Sequence, residues 1–277
     1  MSNSAKKRKL LSQIIRILIG VLFISPLFIA VVFSFLPDDK LYAVPSWATV
    51  IRNLTLQSYI KVLKDMPVFS YVKTSLIMSF MVIAVQLTVS SMAAYAFAFL
   101  KFHFKNFWFT LILIAMMIPG QVVTITNYLS VQHMGLINTY LGLTIVSFAG
   151  GRSLFMMRQS FLSLPKEMKE AARMDGCGEI RYMLSFAIPL SLPSIASVSI
   201  LLFIGEFNAY LWPILIARKP NMYTIQIGLA KMIDDTAIPT YGKMMAVAVL
   251  SLVVPICAFL IGEDYLISGM TKGAIKG

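Results

Sequence analysis

Between Lys73 and Lys101 the chain runs without one charged residue, and five further stretches are nearly as clean. About 20 consecutive apolar residues are long enough to cross a bilayer. Lipid offers no partner to an unpaired backbone amide, so each such stretch has to be helical. The stretches are residues 17–36, 74–100, 106 to about 129, 136–157 with Arg152 inside it, a fifth from Tyr182 to Ala217, and 244–262. The expectation is an all-α integral membrane protein with six transmembrane helices. With 58% hydrophobic residues, the 277-residue chain does not read as an ordinary soluble core. No repeat, low-complexity tract or polar linker divides it, so residues 1–277 read as a single domain.

The formal net charge is +12, carried on only 13% charged residues. No contiguous basic face with base-reading chemistry accompanies it, which argues against nucleic acid. Basic residues flanking membrane spans explain the charge more simply. An inside N-terminus puts fourteen basic residues inside, among them Lys6, Lys7, Arg8, Lys9, Lys101, Lys166 and Arg173, against nine outside. That bias predicts a multi-pass protein of the bacterial cytoplasmic membrane with a cytoplasmic N-terminal tail (1–16) and C-terminal tail (267–277). Leu36-Pro37-Asp38-Asp39 lacks a small-residue cleavage pattern, so the first stretch reads as an uncleaved span. Cys177 and Cys257 do not make a disulfide framework.

Two regions exceed simple spans. Residues 41–71 form an external connection in which the apolar spacing of 58–64 predicts a short surface helix. The fifth stretch is broken only by Glu206 and far outruns the ~20 residues a span requires. Its excess predicts a helical approach before Pro189 and a re-entrant or external piece around Trp212-Pro213. In the second stretch Ser90, Ala94 and Ala98 recur every fourth residue, a spacing of small side chains that lets helices approach closely.

The charged loop of about 161–188 stands apart from all this. Residues 165–175 read as a short helix: proline suits a first turn, Glu167 and Glu170 lie towards its positive end, and Gly176 suits a stop. Adjacent Ala171 and Ala172 give it a low profile that a partner surface can approach. Glu170-Ala171-Ala172, then Asp175-Gly176, then Pro189 resembles the coupling-loop signature of bacterial ABC-importer permeases, E-A-A, three residues, G, nine residues, I-x-L-P. Phe186 and Ile188 stand at the I and L places.

Three further segments are similar to carbohydrate importers of the maltose-permease type. Gly135-Leu136-Ile137-Asn138-Thr139-Tyr140-Leu141-Gly142-Leu143 looks like their external turn into the fourth span. Phe207-Asn208-Ala209-Tyr210-Leu211-Trp212-Pro213 resembles W-N-x-[FY]-L-x-P with Phe207 at the tryptophan place, and the ending Gly269–Gly277 resembles G-[LM]-T-x-G-A-[VI]-K-G. The resemblance implies a type I ABC-importer permease fold with a cytoplasmic coupling helix between the fourth and fifth spans. It also implies a second non-identical permease, two ATPase subunits carrying ATP and Mg, and an external solute-binding protein. Glu170, Ala171, Ala172, Asp175 and Gly176 would meet the ATPase, and Gly273 and Lys276 of the tail would reach the same subunits. No G-x-x-x-x-G-K-[ST] loop, metal-ligand spacing or nucleophile motif appears, so no cofactor, metal or catalytic residue is expected on this chain.

Charge and polarity inside the membrane mark the candidate route. An intramembrane charge costs about 3 kcal/mol even on the lenient insertion scale, which singles out Arg152 and Glu206. At 1.5 Å per residue the two sit at heights roughly 13 Å apart, too far for easy pairing unless the fifth helix is strongly broken. Glu206, Asn208, Tyr210 and Trp212 combine hydrogen-bonding groups with aromatic faces suited to sugar rings, and Gln121 follows the helix-weakening Pro119-Gly120. The leading function is an ATP-driven importer subunit for a sugar or oligosaccharide, with glycerol 3-phosphate or another polyol derivative as the alternative within the same architecture. A stand-alone secondary transporter or channel would call for midplane coupling carboxylates or an inverted repeat, and neither appears. The topology predicts that an impermeant cysteine reagent labels Asn138→Cys or Asn221→Cys only from outside and Lys166→Cys only from inside. Labelling of position 166 in intact cells would overturn six spans.

Overall fold

The computed structural model describes residues 3–41, 46–234 and 240–271, and all regular structure among them is helical. The chain divides into two compact units, one of residues 1–68 and 228–253 and the other of 69–227 and 254–277.

In the first unit a single helix, Asn3–Ser34, starts well ahead of the expected span because the basic tail is rich in helix formers. Its side chains are exposed almost all round from Leu11 to Ile29, Leu22 and Phe23 among them, which suits lipid. Beyond it the Thr55 amide donates to the Phe35 carbonyl at 2.7 Å, and the Ser34 and Tyr59 hydroxyls share a bond of 2.7 Å. The short helix expected over 58–64 is present as Gln57–Asp65, with Ser58 and Val62 buried and Ile60 exposed. Two acidic residues fasten this region to the start of the last helix, Tyr241–Thr271. Asp38 accepts the Gly242 amide at 2.8 Å, and Asp65 pairs with Lys243 at 2.6 Å. The hydrogen bond and charge of Lys243 hold the Asp65 carboxyl below the usual carboxylate range. Gly242 is required by closeness, since a Cβ there would stand 2.7 Å from the Leu36 carbonyl oxygen.

Among the described residues three helices are long and apolar enough to cross a membrane: Leu11–Ser34, Val68–Phe99 and Tyr241–Tyr265. The expected fourth and fifth stretches are each bent pairs rather than straight helices. Tyr140–Ser147 and Gly151–Leu162 meet at 53°, and Glu179–Leu190 and Leu192–Phe207 at 76°. The third stretch resolves into Lys105–Met116 and Thr124–His133 around a turn that holds Pro119-Gly120.

The breaks have local causes. Gln86 of the Val68–Phe99 helix fills the space beside Gly150, where any Cβ would overlap its side-chain amide, and donates to the Ser153 hydroxyl at 2.8 Å. The fifth stretch widens into a π-turn at Met183–Ala187 and bends where Pro189 and Pro193 flank Ser191. Ser90 and Ala94 are buried, and around Ala94 pack Tyr95, Met157, Phe161, Tyr182, Ala187 and Val198, the close approach that small residues permit. At the Phe99 end, two cations cap the open carbonyls of the long helix. Lys105 Nζ donates to the Leu100 carbonyl at 2.9 Å, and Arg158 Nε donates to the Phe97 carbonyl at 3.2 Å.

A second core gathers Met78, Val131, Leu143, Ile216, Met222 and Ile227. Here two motifs of the sequence, residues 135–143 and 207–213, lock together. The Trp212 indole donates to the Gly142 carbonyl at 3.2 Å, while the Asn138 carboxamide oxygen accepts the Arg218 and Lys219 amides at 3.2 and 2.9 Å. Asn138 takes a left-handed φ of 61°, a conformation asparagine tolerates better than most residues. A methyl group at Gly142 would run into the Leu136 carbonyl oxygen, a backbone atom that cannot swing aside. Gly142→Ala is therefore expected to destabilise this corner by about 2 kcal/mol. The check is a melting curve of the purified protein in detergent, where an unchanged midpoint would refute the tight contact.

Candidate functional site

The loop between the two bent pairs contains the helix Lys166–Met174, capped at its start by Pro165. Gly176 ends it at φ 76°, with the Gly176 amide donating to Arg173 and the Cys177 amide to Ala172 at 3.1 and 2.9 Å. This pair of bonds is a Schellman closure, and it places glycine where other residues are strained. Nothing crowds the position, so φ alone demands the glycine.

The two alanines of the motif face different ways. Ala172 is buried in the chain's own core beside Met157, Phe161 and Tyr182, whereas Glu170, Ala171, Asp175 and Gly176 are exposed. The low profile anticipated for both residues is thus used once inward and once outward. Sequence reading missed two exposed apolar side chains of the same loop, Met174 at 89% exposed and Ile180 at 74%. Their signal was visible as apolar residues on either side of Asp175-Gly176, inside an otherwise charged loop.

A second group of polar residues lies where the Leu192–Phe207 helix ends. The Ser147 side chain, at the bend of the fourth stretch, lies close to the Glu206 carboxyl. The Gln226 side-chain amide donates to the Asn208 oxygen at 3.1 Å, and Tyr210 is exposed nearby in sequence at the start of Leu211–Ile216. Ser147 and Gln226 were not singled out from sequence, because each is an ordinary polar residue until the fold supplies its partner. The Trp212 indole N–H is held by the Gly142 carbonyl.

Arg152 opens the Gly151–Leu162 helix, is exposed, and makes no ion pair with Glu206 among the described residues. The strong break in the fifth helix is present, yet Ser147, not Arg152, is the residue beside Glu206. Gln121 is exposed in the turn before Thr124–His133. Gly273 and Lys276 lie outside the described residues. Among the described residues no group of His, Cys, Asp and Glu has the arrangement of a metal site.

Comparison with known proteins adds a family, two relatives and two solved structures. Residues 86–265 match the family described as binding-protein-dependent transport system inner membrane component. The chain is 31% identical over 265 residues to the sn-glycerol-3-phosphate transport system permease protein UgpE of Yersinia enterocolitica, covering 92% of this chain and 94% of that one. It is also 31% identical over 263 residues to the arabinooligosaccharides transport system permease protein AraQ of Halalkalibacterium halodurans, covering 94% and 93%. A solved chain from a bacterial ABC transporter that imports the acidic polysaccharide alginate shares the fold with a TM-score of 0.83 at 19% identity, over 96% of this chain and 98% of that one. A second solved alginate transporter, in complex with its alginate pentasaccharide-bound periplasmic protein, aligns with a TM-score of 0.66 at 15% identity, over 93% of each chain.

The loop geometry yields a direct test. Valine at a left-handed position costs about 1–2 kcal/mol or more, so Gly176→Val should unravel the end of the loop helix. The amount of ATPase that co-purifies with the mutant chain is expected to fall several-fold while the membrane fold survives. Undiminished ATPase in a correctly inserted mutant would remove this loop from the contact.

Proposed function

The chain belongs to the family of binding-protein-dependent transport system inner membrane components, and from that premise we propose how its residues share the work of an importer. It is a multi-pass membrane protein and the pore subunit of a binding-protein-dependent ABC importer. We read the chain as crossing the membrane six times, each bent pair forming one span and Lys105–Met116 with Thr124–His133 another, with both termini cytoplasmic. The Lys166–Met174 helix then faces the cytosol as the coupling helix.

One observation carries that reading. The loop helix buries Ala172 in its own chain and leaves Glu170, Ala171 and Met174 uncovered, with Ile180 exposed on the helix that follows. A low face flanked by a flexible methionine and an isoleucine fits a groove on a second protein. That protein is the ATPase, present as two subunits that hold ATP and Mg, since this chain has no phosphate-cradling loop. A second, non-identical permease completes the pathway, and an external binding protein delivers the solute. Gly273 and Lys276 of the tail extend the ATPase contact.

The solute we propose is a sugar or oligosaccharide. Ser147, Glu206, Asn208 and Gln226 together offer hydroxyl, carboxylate and amide groups without a cation, with exposed Tyr210 following in sequence. Such a set bonds neutral hydroxyls and repels a phosphate. Gln121 and Trp212 belong to the same candidate lining, Trp212 through its ring face because its N–H is committed. Exposed Arg152 is the observation that favours the second reading, glycerol 3-phosphate or a similar anionic polyol. Purified under mild conditions, the tagged chain is expected to bring one other permease and two ATPase copies. In vesicles carrying this complex and its binding protein, ATP should drive uptake of labelled arabino- or malto-oligosaccharide and not of glycerol 3-phosphate. The reverse preference would sink the saccharide reading, and a chain that purifies alone would sink the assembly.

A further inference from the structure

The loop helix is tied to the membrane helices at one place. Lys169 Nζ lies 2.8 Å from Glu179 Oε2, and the Tyr95 hydroxyl donates to the same oxygen at 2.5 Å. The ammonium also stands 4.9 Å from the centre of the Phe99 ring, 5.3 Å from that of Tyr95 and 5.9 Å from that of Tyr182. A cation within about 6 Å of three ring centroids is held from several directions. The rings hold one another as well: Tyr182 meets Phe99 edge-on at 5.8 Å, and Phe161 meets Tyr95 edge-on at 6.3 Å. Four segments converge here: the Phe99 end of the second span, the inner half of the fourth, the loop helix and the start of the fifth.

We propose that Lys169, Glu179 and Tyr95 form a clamp that makes the loop helix and the Phe99 end of the Val68–Phe99 span move as one body. The inference rests on the reading of the loop as the coupling helix, and names the joint through which its displacement reaches the membrane. Three features favour a joint over passive packing. The contact is charge-assisted and directional, so it transmits a pull as well as a push. It sits immediately before the π-turn Met183–Ala187, a wide helical turn of the kind found at functional sites. The Tyr182 hydroxyl beside it is buried without a partner among the described residues, so this arrangement leaves one polar group unsatisfied. Lys169 is a positioning residue here; it touches neither solute nor nucleotide.

The test uses the whole importer complex, with Cys177→Ser and Cys257→Ser, and spin labels at Lys166→Cys and Phe102→Cys. Both label positions are exposed, one at the start of the loop helix, away from the face assigned to the ATPase, and one just past the long span. The distance between the labels is measured without nucleotide and with ATP plus vanadate, the probe that traps the ATPase. With Lys169 present the distribution is expected to stay narrow and unchanged between the two states. Lys169→Met keeps the apolar stem and removes the charge; it should let the distance shift by about 2 Å on trapping, the scale of helix displacements at moving interfaces. Lys169→Arg should restore the single distance, and Glu179→Gln should resemble Lys169→Met without adding to it in the double mutant.

A Lys169→Met distribution identical in both states overturns the clamp. So does one broadened equally with and without nucleotide, because that is the signature of a simple packing brace. Failure of the coupling reading itself would show elsewhere, as normal ATPase attachment in Gly176→Val.

Discussion

Within a bilayer the backbone has no solvent to fall back on, and at three places in this chain a helix end or break is met by side chains from elsewhere in the sequence. Gln86 occupies the gap beside Gly150 where the fourth stretch divides. Lys105 and Arg158 answer the last carbonyls of the long second span. Asn138 takes two amides at the turn after Ile216. Interhelical bonds of this kind in membranes contribute about 0.6–2 kcal/mol each, so none alone holds the fold. Their placement matters more than their strength, because they fix where a helix is allowed to stop and turn.

The same constraint explains what the sequence disclosed. Apolar run length is a one-dimensional property, so the spans at 17–36, 74–100 and 244–262 were readable directly, as was the surplus length of the fifth. The glycine stop at 176 was equally legible, because it depends on one residue's own backbone freedom. The bend at 148–150 was not. It arises from Gln86, more than sixty residues away, and an uninterrupted apolar run gives no sign of a partner inserted from another helix. Arg152 and Glu206 show the same limit: both were recognisable as unusual, but whether they meet is decided by angles of 53° and 76° that no spacing rule contains.

The functional residues divide along similar lines. Motif residues of the loop kept their sequence positions and their exposed or buried faces became clear only in three dimensions, with Ala172 turned inward and Ala171 outward. Ser147 and Gln226 gain interest solely through Glu206 and Asn208. Trp212 moves the other way, since its indole helps bind two outer segments together. In each case residue type was visible early and the partner was not.

Inward-facing Ala172 has a consequence for interchange between transporters. A loop transplanted from a relative to recruit a different motor must satisfy two surfaces of unequal tolerance. On the open face, where Glu170, Ala171 and Met174 lie, the donor's identity is what the new motor would read under the coupling role proposed above. On the inner face the residue facing Met157, Phe161 and Tyr182 belongs to the recipient's own packing, and a larger side chain there would lift the whole helix. Modularity in such a loop therefore runs along one side of a nine-residue helix and not through it.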